Sequence, residues 1–205
     1  MTRVNDASDP AAVEDAVERL MAGEVVAIPT DTVYGLAVSA FVPGAIDQLF
    51  VAKERPHTLE IPVLISAPTV AEDLVEGEIP GIAQWWMDRF WPGALTIVLA
   101  RNYDRRDVDL GGDGSTIGLR CPDHRLVREL CRRVGALATT SANLHGEPTP
   151  PTAAGVAAAL DGAVSLVLDG GTCEGAPSTV VAIDATGAPS VLREGRIPIA
   201  ALTPT

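Results

Sequence analysis

Val26-Ala-Ile-Pro-Thr-Asp-Thr-Val-Tyr-Gly-Leu36 is the stretch that decides how the chain is read. The apolar run Val25 to Ile28 predicts a buried strand. Pro29 stops it, because proline has no N–H for the next ladder bond. Thr30, Asp31, Thr32 and Tyr34 then crowd polar side chains together before Gly35 closes the loop. Two readings fit: a strand followed by an Asx or Thr turn, or a strand end that presents hydroxyls to a small polar ligand, as strand ends do in open α/β sheets.

Working outward, 205 residues with 47% hydrophobic content allow one sizeable core, so one domain over 1–205 with its core at roughly 10–200 is expected. No apolar run reaches the ~18 residues of a membrane span, and the N-terminus lacks the apolar segment of a secretion signal. Cys121, Cys131 and Cys173 are odd in number and show no CxxC spacing. That argues for a reducing, cytoplasmic setting. His57, His124 and His145 lack ligand spacing, so no metal site is expected on the protein. A net charge of −12 argues against a broad nucleic-acid surface, whose affinity comes from neutralising phosphates. One small anion in a locally basic pocket remains compatible with it.

Asp9-Pro10 predicts a helix start, with Asp9 as N-cap, and Gly23 its end. A second amphipathic helix carries Ala45, Ile46, Leu49, Phe50 and Ala52 and runs into Lys53-Glu-Arg-Pro56. Pro56 biases Arg55 toward extended backbone, where Lys53 and Arg55 share a face; a solvated helix C-terminus is the other reading. Ile61 to Ile65 predicts a short strand, with Pro62 marking an edge or a strand start. Helices are expected over Thr69 to Val75 and Gly81 to Phe90, with Trp85, Trp86, Phe90 and Trp91 in the core or a packed lid. Strands follow at Ala94 to Ala100 and Thr116 to Pro122, separated by a polar stretch, Arg101 to Ser115, read as a mobile surface loop. After a helix from His124 to Val134, the strand Ala136 to Thr139 ends in Thr140-Ser-Ala-Asn143, repeating the logic of the first motif. A helix at Thr152 to Leu160, a strand at Val164 to Leu168, the loop Gly175 to Val181 with Ser178 and Thr179, and a strand at Ser190 to Arg193 complete the pattern. Strand pairs without an intervening helix predict an α/β fold with a mixed, twisted sheet and helices packed on it.

The chain has neither G-x-x-x-x-G-K-[ST] nor G-x-G-x-x-G, and no G-x-S-x-G around Ser141. A bound phosphate must therefore be held by side chains. Lys53, Arg55, Arg120, Arg193 and Arg196 are the cations near strand ends.

Pro29-Thr-Asp-Thr-Val-Tyr-Gly-Leu36 resembles the signature of the YrdC family, the threonylcarbamoyl-adenylate synthases of tRNA modification. The resemblance extends through Lys53-Glu-Arg-Pro56, Gly118-Leu-Arg-Cys-Pro122, Thr140-Ser-Ala-Asn143, Ser178-Thr-Val180 and Leu192-Arg193, in that order, over roughly Glu24 to Arg196. It implies a YrdC-like fold with a deep concave cavity. It also implies a nucleotidyltransferase that makes L-threonylcarbamoyl-adenylate and pyrophosphate from L-threonine, bicarbonate and ATP. The product serves N6-threonylcarbamoylation of the adenosine beside the anticodon.

By the same resemblance, Lys53, Arg55, Ser141 and Asn143 hold the adenylate phosphate and carbamoyl group, and Pro56, Thr139 and Arg193 join them around the nucleotide. Thr32, Tyr34 and Ser178 contact threonine, and Arg120 takes its carboxylate. Mg²⁺ is expected to travel with ATP, and the tRNA threonylcarbamoyl-transferase complex is the implied partner; direct, stable tRNA binding is not expected at this charge. If Lys53 and Arg55 line a cavity, alanine there should cost turnover and leave folding nearly untouched. Leu59 and Glu60 depart from the family pattern, and Glu60 would repel phosphates unless it points out or pairs with arginine; His145 stands where serine is common. Two other classes compete: a non-catalytic RNA-binding relative, which the charge disfavours, and a carbamoyl-adenylate-forming domain of the hydrogenase-maturation type, whose accompanying modules this sequence lacks.

Overall fold

Strand and helix alternate along the chain in the computed structural model, which describes residues 2–53, 60–102, 104, 110–144 and 146–204. In order, the elements are β1 (Arg3–Asp6), α1 (Pro10–Met21), β2 (Val26–Ile28), β3 (Gly35–Ser39), α2 (Ala45–Lys53), β4 (Val63–Leu64), α3 (Ala71–Leu74), α4 (Gly81–Phe90), β5 (Leu95–Ala100), β6 (Thr116–Arg120), α5 (Arg125–Val134), β7 (Leu137–Ser141), α6 (Ala153–Ala159), β8 (Leu166–Asp169), β9 (Thr179–Ile183) and β10 (Pro189–Arg193). The Asp9 carboxylate caps α1 by accepting from the Ala11 N–H at 2.9 Å, and Gly23 takes a φ of 81° just past its end.

The strands form one mixed sheet in the order β1-β8-β2-β3-β7-β4-β6-β5-β9-β10. The connections expected to lack helices do close antiparallel pairs, β5 with β6 and β9 with β10. Parallel pairs β1 with β8, β2 with β8, β4 with β6 and β5 with β9 make the sheet mixed.

Side chains one apart on a strand face opposite sides of the sheet, and here they separate two cores. Val26, Ile28, Ala37, Leu64, Leu137, Leu166 and Leu168 pack beneath α1 and α5, against Ala16, Leu20, Val127 and Leu130 among others. The intervening positions Ala27, Leu36, Val38, Val63, Ala138 and Val167, with Leu95, Ile97, Leu119 and Val181, face the other way into a larger core with α2, α3, α4 and α6. On the α1/α5 face the apolar cover stops near Leu64. Positions of the same parity on the next strands, Thr96 and Val98, Gly118 and Arg120, and Val180, line a pocket instead. The site therefore occupies the half of a sheet face that the helices among the described residues leave open.

Several expectations change. Pro62 precedes β4, which pairs with β6 on one side and β7 on the other, so it marks a strand start and not an edge. The helix expected at 69–75 is a 3-10 turn (Pro68–Val70) followed by the short α3. Lys53 is the last residue of α2 and not extended. The expectation for the tryptophans holds for Trp86 and Trp91, which are buried in the core with their indole N–H groups donating to the carbonyls of Leu202 and Leu95. Of the polar stretch 101–115, residues 103 and 105–109 lie outside the described residues.

Candidate active site

The pocket has a volume of about 650 Å³ and its floor is the sheet itself: Gly35 of β3, Thr139 and Ser141 of β7, Leu64 of β4, Gly118 and Arg120 of β6, and Thr96 of β5. Threonine, serine and glycine at these positions supply hydroxyls or bare backbone where a covered sheet would carry Val or Leu. The rims are the loop 30–34 after β2, the turn after β7, and Pro177 and Ser178 before β9.

The loop after β2 is both a turn and a wall. The Thr30 hydroxyl donates to the Val33 carbonyl at 2.6 Å and accepts from the Thr32 N–H at 3.1 Å. A hydroxyl has one proton, so in the 3.0 Å contact between Thr30 and Thr32 it is Thr32 that donates. Thr32 Oγ1 in turn accepts from Arg120 at 3.0 Å. Toward a ligand, Thr32 is thus an acceptor, suited to an N–H or O–H.

Arg120 projects from the end of β6 with its side chain 8% exposed. Its Nε donates to the Gly93 carbonyl at 3.0 Å, one terminal nitrogen to Thr32, and the other to Asp31 at 2.6 Å. Burial pulls its pKa down, and the Asp31 carboxylate opposes that pull. The described residues engage three of its five N–H groups and leave two, the number a carboxylate takes in bidentate fashion. Arg196 reaches the same loop, donating to the Asp31 carbonyl at 2.6 Å.

At the other end of the floor, the Lys53 ammonium donates to the Ser141 carbonyl at 2.6 Å, to Ser141 Oγ at 3.2 Å and to Asn143 Oδ1 at 3.0 Å. Lys53 is only 3% exposed and stands behind these residues. Because Ser141 Oγ accepts from Lys53, its own proton is available to a ligand. Asn143 is the hub of the turn: Nδ2 donates to the carbonyls of Leu144 at 2.8 Å and Glu147 at 2.5 Å. The Thr139 hydroxyl is turned to the Leu137 carbonyl.

Ser178 shares a 2.8 Å hydroxyl contact with Thr96, and the Arg193 guanidinium donates to the Ser178 carbonyl at 2.9 Å. The segment after β10 is fastened to this rim through Thr179, whose hydroxyl donates to the Ile197 carbonyl and accepts from the Gly195 and Ile197 N–H groups. Gly195 is needed there, since a Cβ would collide with the Pro177 carbonyl. Tyr34 is fully buried; its hydroxyl donates to the Gly171 carbonyl at 2.7 Å and accepts from the Gly170 N–H at 3.3 Å. Burial pushes its pKa up to about 12. The hydroxyl expected at the threonine end is therefore directed to the loop after β8, where it braces the wall.

Of the residues singled out from sequence, Thr32, Tyr34, Arg120, Thr139, Ser141, Asn143, Ser178 and Arg193 line the pocket, while Lys53 supports it from behind. Arg55, Pro56 and His145 lie outside the described residues. Glu60 also lines the pocket, where its carboxylate accepts from the Thr116 hydroxyl at 2.6 Å and the Gly118 N–H at 3.0 Å. Asp31 and Thr96 are the residues sequence reasoning passed over. Asp31 had a signal, an acid between two threonines, whereas Thr96 sits in an ordinary apolar run.

Fold and site together define a class: an α/β protein whose sheet floors a pocket of hydroxyls, with an arginine–aspartate pair at one end and a lysine-supported serine at the other. The sequence signature of the Sua5/YciO/YrdC family, described as telomere recombination, matches residues 18–195, and the chain belongs to that family. It is 40% identical over 187 residues to the threonylcarbamoyl-AMP synthase of Bacillus subtilis, covering 90% of this chain and 54% of that protein. It is 38% identical over 203 residues to a putative threonylcarbamoyl-AMP synthase of Mycobacterium tuberculosis, covering 96% of this chain and 92% of that one. Among solved structures, P. abyssi Sua5 complexed with L-threonine superposes with a TM-score of 0.83 at 31% identity, over 93% of this chain and 56% of that one. The chain thus spans little more than half the length of the Bacillus and Pyrococcus relatives and nearly all of the mycobacterial one.

Proposed function

We propose that this chain is a threonylcarbamoyl-AMP synthase, joining L-threonine, bicarbonate and ATP into L-threonylcarbamoyl-adenylate and pyrophosphate for N6-threonylcarbamoylation of tRNA. The observation that carries the reading is the pairing, on one sheet floor, of a carboxylate receptor with a phosphate cradle. Arg120 is level with Leu64 of β4, and Leu64 with Leu137 of β7. Ser141 therefore lies two strands across, about 10 Å, and four residues along, about 13 Å, from the Arg120 backbone. The Arg120 side chain closes part of that span and leaves room for an amino acid joined through a carbamoyl group to a phosphate.

In this reading Arg120 takes the threonine carboxylate with its two remaining N–H groups, and Thr32 accepts from the amine. The amine takes up CO2 formed from bicarbonate to give a carbamate; counted from the ammonium and bicarbonate, one water and one proton are released. A carbamate oxygen then attacks the α-phosphorus and pyrophosphate leaves. Ser141 donates to a phosphate oxygen, while Lys53 supplies positive charge and fixes Ser141 and Asn143; such transfer rests on positioning and charge stabilisation. Arg55, Pro56 and Arg193 are assigned to the nucleotide and Ser178 to threonine. The pocket shelters the short-lived carbamate from water.

The described residues gather no group of three or more metal-ligating side chains, so Mg²⁺ is assigned to the triphosphate as part of the substrate. Among the described residues no helix is long and apolar enough to cross a membrane; we place the protein in the cytoplasm beside the transferase complex that consumes its product. The test is incubation with ATP, bicarbonate and threonine. Pyrophosphate release that requires both threonine and bicarbonate supports the reading, and release independent of either overturns it.

A further inference from the structure

Three arginines converge on the threonine end of the pocket. Arg193 and Arg196 stand close enough to Arg120 for their charges to oppose its own. Asp31 answers them with a carboxylate 2.6 Å from Arg120 and 14% exposed. Arg120 lines the pocket and Asp31 does not, so the carboxylate backs the guanidinium instead of meeting the ligand first. We propose that Asp31 is a specificity-determining residue: its charge keeps this subsite from capturing free oxyanions and reserves it for a zwitterionic amino acid.

The need follows from the substrates. Bicarbonate, triphosphate and pyrophosphate all pass through the same pocket, and a buried arginine flanked by two others would bind any of them. Part-buried charges interact several times more strongly than they do in water. Asp31 cancels the charge of Arg120 and part of the field of its two neighbours, while Arg120 keeps two N–H groups not engaged by the described residues for a carboxylate. An amino acid brings its own ammonium into the field of Asp31 and stays neutral overall. Phosphate brings only negative charge and meets the repulsion of Asp31, which weakens its attraction to the arginines; that is discrimination by a repulsive element. The phosphates are left to the Lys53 and Ser141 end. The proposal rests on assigning Arg120 to the threonine carboxylate, but its test does not require turnover.

Asp31→Asn removes the charge and keeps an oxygen for Arg120; the bond from Arg196 goes to the backbone and survives. The full chain is titrated calorimetrically with inorganic phosphate, alone and with saturating L-threonine. The parent is expected to bind phosphate in a way that a non-hydrolysable ATP analogue blocks and threonine does not. Asp31→Asn should gain a phosphate site that threonine competes for, at least about tenfold tighter than the parent shows there, given the cost of juxtaposed like charges. A folded variant without that site overturns the proposal while leaving threonine binding to the parent intact. Competition between phosphate and threonine in the parent also overturns it, and that measurement decides the matter if the variant does not fold. A parent that fails to bind threonine at all removes the assignment of Arg120, and this proposal with it.

Discussion

Replacing Lys53 by methionine keeps most of the buried stem and removes the ammonium. The Ser141 carbonyl and Asn143 Oδ1, at 2.6 and 3.0 Å from the nitrogen, lose that donor. Each keeps a weaker partner, the Asn143 N–H at 3.0 Å and the Thr149 hydroxyl at 3.4 Å, so what is lost is a charge-assisted bond, roughly 1.5–3 kcal/mol for each. Relief of the ammonium's own desolvation offsets part of this, so a net loss of about 2–4 kcal/mol is expected. For a chain of this size that lowers the melting temperature by about 5–15 °C. The expectation from sequence, that folding tolerates loss of Lys53, is thus reversed by its burial. Thermal melting followed by circular dichroism reads the first effect. Titration of the surviving folded protein with a non-hydrolysable adenylate reads the second, a weakened phosphate site. A variant that melts within about 2 °C of the parent would show that the ammonium does not hold the Ser141 turn, and the account of Lys53 as a support would be wrong.

Ser141→Ala should lower affinity for the adenylate by about 1.5–3 kcal/mol, the range for hydrogen bonds to charged groups, with little change in melting. Asn143→Ala, which unties Leu144 and Glu147, should melt markedly lower; equal melting of the two variants would contradict the division of labour between them. Tyr34→Phe should cost about 1 kcal/mol of stability and leave the threonine KM within about threefold, whereas a large rise in KM would return its hydroxyl to the substrate. His124 occupies the N-cap position of α5 without a side-chain cap bond, its Nδ1 buried and without a hydrogen-bond partner among the described residues, and burial holds its pKa below the ordinary 6.5. The unfolded chain therefore binds the proton first, and stability is lost as pH falls through about 6.5 toward the lower folded value. Denaturant titrations of His124→Gln between pH 7 and 5 should show a flatter acid limb, and an unchanged limb would place the titration elsewhere.

Much of the architecture is legible because local rules and burial agree. Asp9-Pro10 caps its helix as expected, α4 runs from Gly81 to Phe90 as its pattern predicts, and the hydroxyl-bearing ends of β2 and β7 lie level on either side of β3. β1 was missed because Arg3–Asp6 is an exposed edge with no apolar signal, held by its ladder with β8. The sequence pattern assigns no strand to β3, because all five of its residues are buried and alternation is absent. The site was legible in its residue types but not in its pairings. Lys53 meets Ser141 across 88 positions and Arg120 meets Asp31 across 89. Neither contact leaves a local trace: a lysine ending a helix and an acid in a turn look equally at home in solvent.

The uncovered half of the sheet also limits how the pocket can be altered. Floor residues are flanked along their strands by members of the opposite core: Thr96 by Leu95 and Ile97, Gly118 by Ile117 and Leu119. Breadth of acceptance cannot be gained from below, because moving a floor strand drags its neighbours out of close packing. An engineer seeking to admit a bulkier amino acid would have to remodel the margins, the loop 30–34 and the segment around Ser178. Descent with altered substrate choice would be expected to leave its marks in the same places and to spare the strands.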